Sequence, residues 1–192
     1  MTSIEPPPPP RIVVGIDVAQ IPKHFHVGIL DIDRNVFMSV YNEPYLSELI
    51  KGLAGYSKLL KIAIDAPPRA QIHGERTRLA ERELHQMGYR VQWTRRAPMA
   101  APEWMNAGER LWKALEDNFG KDLLIETFPT VASDHLSEDE HYLPLRMFSG
   151  KEKRKDYKDY IDACICAIVA EKALCGKAQV VGVGDELGPI YF

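Results

Sequence analysis

Residues 12–17 read Ile-Val-Val-Gly-Ile-Asp, and the fold turns on how that run ends. Apolar, β-branched and nearly continuous, Ile12 to Ile16 has the pattern of a strand buried on both faces. Asp17 then places a carboxylate where burial is costly unless the group is paired or binds a cation. The arrangement recurs in Ile62-Ala63-Ile64-Asp65 and in Leu123-Leu124-Ile125-Glu126. Farther along, Asp159 and Asp162 stand three apart, just before an apolar helical stretch from Ala163 to Ala170. One acid at a strand end is ordinary. Three such ends and an acidic helix start predict that the strands deliver oxygen ligands to one site.

Working outward from the first strand, Phe25 to Asp31 and Val36 to Tyr41 read as two more, joined by the turn residues Asp33-Arg34-Asn35. Tyr45 to Tyr56 carries Leu46, Leu49, Ile50 and Leu53 at helical spacing, and Leu59 to Ile64 is a fourth strand. A helix between strands implies a parallel crossover. Pro67-Pro68 stops the fourth strand. Glu75 to Met87 reads as a helix, Tyr89 to Thr94 as a short strand, and Glu103 to Phe119 as a helix closed by Gly120. Leu123 to Phe128 is the fifth main strand, and Pro129 opens a short helix. Tyr157 to Leu174 is the longest helix, and Gln179 to Val183 a late strand. The order predicts an α/β domain over residues 11–192: a mixed sheet flanked by helices, with a helical insertion at about 71–120 after strand four. Residues 1–10, with prolines at 6–10, read as an extended tail.

Bulk properties narrow the function. The net charge of −3 gives no global basic signature for nucleic acid, so any such binding must rest on a local patch. Three cysteines, Cys164, Cys166 and Cys175, lack CxxC spacing and an even count, so they read as packing residues in a reduced cytosol. No apolar run approaches the roughly 20 residues of a membrane helix, and no secretory leader is expected. The expected location is cytoplasmic.

Val14-Gly15-Ile16-Asp17, Ala63-Ile64-Asp65-Ala66-Pro67, Glu126-Thr127-Phe128-Pro129 and Asp159-Tyr160-Ile161-Asp162-Ala163 together carry a resemblance. The chain resembles a ribonuclease H-like domain, and more narrowly the DUF429 family of predicted nucleases. The ending from Gly182 to Ile190 is similar to that family's C-terminus. The resemblance implies a first-strand acid, Asp17, a fourth-strand acid, Asp65, and a last-helix acid, Asp162. Asp159 with Asp162 further resembles the terminal helix of Holliday-junction resolvases of the RuvC type. Glu126 stands where the DUF429 pattern has its Glu.

The implied chemistry is phosphodiester hydrolysis, in which two divalent ions about 3.5–4 Å apart serve the attacking and leaving oxygens. Mg²⁺ or Mn²⁺ suits hard carboxylate ligands. On this reading Asp17 bridges both ions, Asp65 holds one, and Glu126 or Asp162 holds the other. Asp159, about 300° around an ideal helix from Asp162, is a second ligand or a supporting acceptor. Each acid also has a plainer reading: a turn or cap for Asp17 and Asp65, a partner for a nearby Arg or Lys for Glu126, and a helix-dipole acid for Asp159 and Asp162.

The basic run with Lys151, Lys153, Arg154, Lys155 and Lys158 is either a solvated segment or a phosphate contact beside the acidic helix. Arg69 and Arg76, flanking the loop after Asp65, and Arg95 and Arg96 invite the same pair of readings. Trp93, Trp104 and Trp112 read first as packing residues and second as base-stacking platforms. His24 and His26 alternate on the second strand, but no third soft ligand is evident, so the pair is not read as a metal site. His73 is a proton-shuttle candidate in the loop after Asp65. The leading expectation is a metal-dependent nuclease acting on DNA or RNA. Its rivals are a non-catalytic binding module on the same fold and, more remotely, a relative of the actin-like ATPases, against which stand the single lobe and the Gly-free Val18-Ala19-Gln20-Ile21-Pro22. The acids must converge within a few ångströms for the first to hold.

Overall fold

The computed structural model of the chain describes residues 8–19, 25–73, 77–148 and 154–192, with the backbone alone at 154–156. Most of the expected proline-rich tail therefore lies outside the described residues. Three strands come first: β1 (Ile12–Val18), β2 (Phe25–Asp31) and β3 (Val36–Glu43). After α1 (Leu46–Ala54) and β4 (Leu59–Asp65) come β5 (Gln71–Ile72), α2 (Leu79–Gln86), β6 (Arg95–Arg96) and α3 (Glu103–Phe119). A 3₁₀ turn leads into β7 (Leu124–Thr127), followed by α4 (Pro129–Asp134), α5 (Glu138–Leu145), α6 (Arg154–Leu174), β8 (Val180–Val181) and β9 (Ile190–Tyr191).

Seven strands form one sheet in the order β3-β2-β1-β4-β7-β9-β8, and β5 and β6 pair by themselves. β1, β2 and β3 are antiparallel neighbours, whereas β4 and β7 run parallel to β1. A three-strand meander continued by parallel strands through helical crossovers is the mixed α/β sheet that the element order predicts. The β2–β3 hairpin turns at Asn35, whose φ of 51° is the left-handed region that Asn tolerates. The buried carboxylate of Asp31 accepts from the backbone N–H groups of Asp33 and Arg34 at 3.0 and 3.2 Å.

All seven residues of β1 are buried because the sheet is covered on both faces. The two-residue alternation of a strand divides them. Ile12, Val14 and Ile16 pack with Ile62 and Ile64 against Leu49 and Leu53 of α1 and Leu111 and Leu115 of α3. Val13 and Ala63 face the other way, onto α6 and its neighbours. Every residue of α6 from Ala163 to Ala170 is buried, so this stretch is a core element all round rather than an amphipathic one. Each large apolar side chain in it contributes about 1.5–3 kcal/mol by burial. No helix among the described residues is long and apolar enough to cross a membrane.

Several expectations need correction. Tyr89 to Thr94 is not a strand: Thr94 donates its N–H and hydroxyl to the buried Glu81 carboxylate at 2.8 and 2.5 Å instead of to a neighbouring strand. Among the described residues the helix expected from Glu75 begins only at Leu79, because Arg78 is extended and its side chain is committed to buried acids. α5 went unread because it lacks an apolar stripe and contains Pro144, although Ser137 and Glu140 form a capping box at its start. β9 is too short to read, yet it joins β8 to β7.

Candidate metal centre

Register gathers the strand acids. Asp17 lies opposite Asp65 across the parallel β1–β4 pair and opposite His26 across the antiparallel β1–β2 pair. All three share the strand face of Val13, Gly15 and Ala63, which α6 covers. The helix can deliver its own acids there because two glycines let it lie directly on the sheet. A Cβ at Gly15 would stand 2.1 Å from the Ala163 carbonyl oxygen and 2.2 Å from the Ala167 nitrogen; at Gly28 the nearest atoms are the Ala163 oxygen at 3.1 Å and Cys164 Cα at 3.2 Å. Asp162 immediately precedes this contact, and Asp159 lies one turn earlier.

Asp17, His26 and Asp159 each offer a ligand atom, and the three atoms lie within 4.8 Å of one another. Asp17 and His26 are 7% and 8% exposed. Asp17 Oδ2 and His26 Nδ1 approach to 3.4 Å without the alignment of a hydrogen bond, so both are buried atoms with no hydrogen-bond partner. The other ring nitrogen, Nε2, lies 3.1 Å from the Asn42 amide nitrogen, and the ring meets Tyr160 edge-on with centroids 4.8 Å apart.

The carboxylates burden one another. Burial, then the charges of Asp17 and Asp162, push the Asp65 carboxyl well above the ordinary range. Burial also raises Asp162; the Lys158 hydrogen bond and charge oppose it, and Asp17 and Asp159 add to it. Lys158, one turn before Asp162, donates its ammonium to Asp162 Oδ2. Burial lowers the Lys158 pKa, but its Asp162 bond and the nearby acids outweigh this and hold it up. Hard oxygens, one imidazole, two unpartnered buried atoms and mutual repulsion are a donor set that a divalent cation fits.

Glu126 lines the same cleft as Asp17 and Asp65 but stands one position off in register, its partner on β4 being Ile64. Both its oxygens accept from the fully buried Arg78, Nη1 to Oε1 and Nη2 to Oε2 at 2.8 Å each. Arg78 also donates through Nε to Asp185 at 3.2 Å and through Nη2 to the Gly188 carbonyl at 3.2 Å. Burial raises the Glu126 carboxyl to about 7 against the opposing pull of Arg78. Asp185 in turn accepts from the Ala80 and Leu187 N–H groups at 3.0 and 2.9 Å. The network ties the insertion, β7 and the Gly-rich C-terminal segment together behind the acids.

A cleft of about 480 Å³ opens over the strand ends, lined by Asp17, Asp65 and Asp159 and by Trp104, Phe128 and Arg90. Asp162 stays 15% exposed at its side chain and is not on that lining. Arg90, exposed, is a cleft cation that sequence reading missed, since it stands alone between the insertion helices. Trp104 lines the cleft, whereas Trp112 is buried and donates to the Ala66 carbonyl at 2.9 Å. The expected nucleic-acid contacts are scattered. Arg69 lines a separate hollow with Lys61, Lys113 and Lys121. Arg95 and Arg96 sit on β6, and the exposed His73 follows β5; none of the three is on the cleft lining. Arg76 and Lys151 lie outside the described residues, as do the side chains of Arg154 and Lys155.

No family model matches the chain, and no curated protein matches it. Among solved structures, it is similar to T. thermophilus RuvC in complex with Holliday junction substrate: 13% identity over 88% of this chain and 98% of that chain, with a TM-score of 0.48.

Proposed function

We propose that the protein is a metal-dependent nuclease that hydrolyses phosphodiester bonds in a nucleic acid. The observation that carries this reading is the convergence of Asp17 and Asp159, with Asp65 in register beside Asp17, at an open cleft. Asp17, Asp65, Asp159 and Asp162 would hold Mg²⁺ or Mn²⁺. Bound ions of this class activate a water and stabilise charge on phosphoryl oxygens. Asp17 stands centrally, between Asp65 on β4 and His26 on β2. Arg90 would meet a phosphate at the cleft, and Trp104 and Phe128 supply apolar faces for a base. Glu126, bound to Arg78, holds the wall of the cleft rather than an ion. The finer kinship with the DUF429 nucleases belongs to the same reading and rests on the ordered strand-end motifs and the C-terminal segment gathered by Asp185.

A non-catalytic binding module is the second reading, favoured by Lys158, whose ammonium already neutralises Asp162. The test is a panel of labelled single- and double-stranded DNA and RNA in Mg²⁺ and in Mn²⁺, with Asp17→Asn and Asp65→Asn in parallel. Removing a metal ligand forfeits several kcal/mol of transition-state stabilisation, so each variant should cut on the order of 100-fold more slowly or worse. Cation binding without cleavage of any substrate would favour the binding module. Equal cleavage by wild type and Asp17→Asn would show that the activity is not this protein's.

A further inference from the structure

We infer that His26 is a nitrogen ligand of the centre, and that the Asp17–His26–Asp159 set selects first-row transition ions over Mg²⁺. The inference rests on reading the acid cluster as a metal centre and adds the identity of one ligand and the class of ion.

Four observations converge on Nδ1 of His26. It is buried without a hydrogen-bond partner, as is the facing Asp17 Oδ2. The two atoms are 3.4 Å apart. Two ligand atoms that each lie about 2.1 Å from one ion stand roughly 3.0–3.4 Å apart in octahedral to tetrahedral geometry. Asp159 offers a carboxylate oxygen to the same group, the ligand atoms of the three residues all lying within 4.8 Å of one another. Finally, the ring is held from both other sides. Asn42, its register partner on β3, meets Nε2 at 3.1 Å, and Tyr160 of α6 packs on it edge-to-face.

Asn42 explains how one contact serves two states. Its amide presents a donor on one edge and an acceptor on the other, so a half-turn lets it accept Nε2–H and leaves Nδ1 free to ligate. Metal-bound imidazoles characteristically donate their second nitrogen's hydrogen to such a partner. His26 is not on the cleft lining, so it does not reach a substrate as a proton carrier would. Mg²⁺ favours oxygen ligands and retained waters, whereas imidazole favours transition ions.

The experiment uses the full chain and Mn²⁺ as the probe. Mn²⁺ binding is followed by electron paramagnetic resonance for wild type, His26→Gln and Asp17→Asn, with Mg²⁺ competition and circular dichroism to check folding. Pulsed spectra of bound Mn²⁺ are recorded with and without ¹⁵N-histidine. Wild type should show histidine nitrogen coupling. His26→Gln should lose it and bind Mn²⁺ on the order of 10-fold or more weakly, with Mg²⁺ affinity changed only a few-fold. Bound Mn²⁺ that is sensitive to Asp17→Asn but lacks histidine coupling in wild type overturns the His26 assignment and leaves the acid centre standing. Coupling that persists in His26→Gln overturns it too. Mn²⁺ binding insensitive to Asp17→Asn, or no binding, overturns the centre itself, and that outcome is read in wild type and Asp17→Asn alone, whether or not His26→Gln folds.

Discussion

Replacing Gly15 with Ala should unseat α6 from the sheet, and comparison with Gly28→Ala sets the scale. At Gly15 the added carbon would lie 2.1 and 2.2 Å from two backbone atoms of α6, while ordinary contact begins near 3.4 Å. Backbone cannot rotate away, so the helix must rise by roughly 1 Å over β1. Overpacking costs about 1–3 kcal/mol where side chains can yield, and this site sits at or above the upper end. Ala narrows the unfolded ensemble and returns only about 0.4–1 kcal/mol. At Gly28 the closest approach is 3.1 Å, a matter of a few tenths of an ångström, so about 1 kcal/mol is expected. For a domain of this size each kcal/mol moves the melting temperature by about 2–4 °C. Net of that return, Gly15→Ala should melt roughly 4–10 °C below wild type, and Gly28→Ala no more than about 2 °C below it, by circular dichroism. Lifting α6 also carries Asp159 and Asp162 away from Asp17 by more than the about 0.5 Å that a ligand set tolerates, so Mn²⁺ affinity should fall in Gly15→Ala. A Gly15→Ala protein that melts within 2 °C of wild type, or a Gly28→Ala protein that is worse than it, would refute the claim that helix contact positions the acids.

Arg78→Met should destabilise the protein by about 3–5 kcal/mol in urea denaturation, because Glu126 and Asp185 are left buried without their cation; adding Glu126→Gln should recover part of the loss, and failure to do so would argue against direct pairing. Burial pushes the Glu126 carboxyl up to about 7 from an ordinary 4.5, against the opposing pull of Arg78. The folded state therefore holds a proton that the unfolded chain releases, so stability falls as pH rises from about 4.5 to about 7. Urea midpoints across that range should slope downward in wild type, and Glu126→Gln should leave only the shallower slope from Asp65 and Asp162, which burial raises in the same direction. Trp104→Ala should weaken single-strand binding, measured by fluorescence anisotropy in Ca²⁺, by about 1–3 kcal/mol if a base stacks there; unchanged affinity would place the strand elsewhere.

How far the sequence speaks depends on whether an element's pattern or its pairing is at issue. Asp17 and Asp65 end runs of β-branched apolar residues, and Asp159 and Asp162 begin a run buried all round, so local pattern was enough to single them out. The mixed character of the sheet, a meander followed by a parallel crossover, followed from element order and crossover rules. Pairing is different. His26 is ordinary until the antiparallel register sets it against Asp17. Glu126 ends its strand as Asp65 does, but it stands one position off in register and both its oxygens go to Arg78. Arg78 stands alone in the chain, and Asp185, which it meets, is 107 positions away. The capping box of Ser137 and Glu140 is an overlooked signal that the local sequence does contain.

The most direct test of the central claim is anomalous diffraction from crystals soaked in Mn²⁺. The account predicts a peak bonded to an Asp17 carboxylate oxygen and to at least one of Asp65, Asp159 and Asp162, absent from Asp17→Asn crystals under the same soak. Saturating Mn²⁺ with no peak at Asp17, or a peak unchanged in Asp17→Asn, would contradict it.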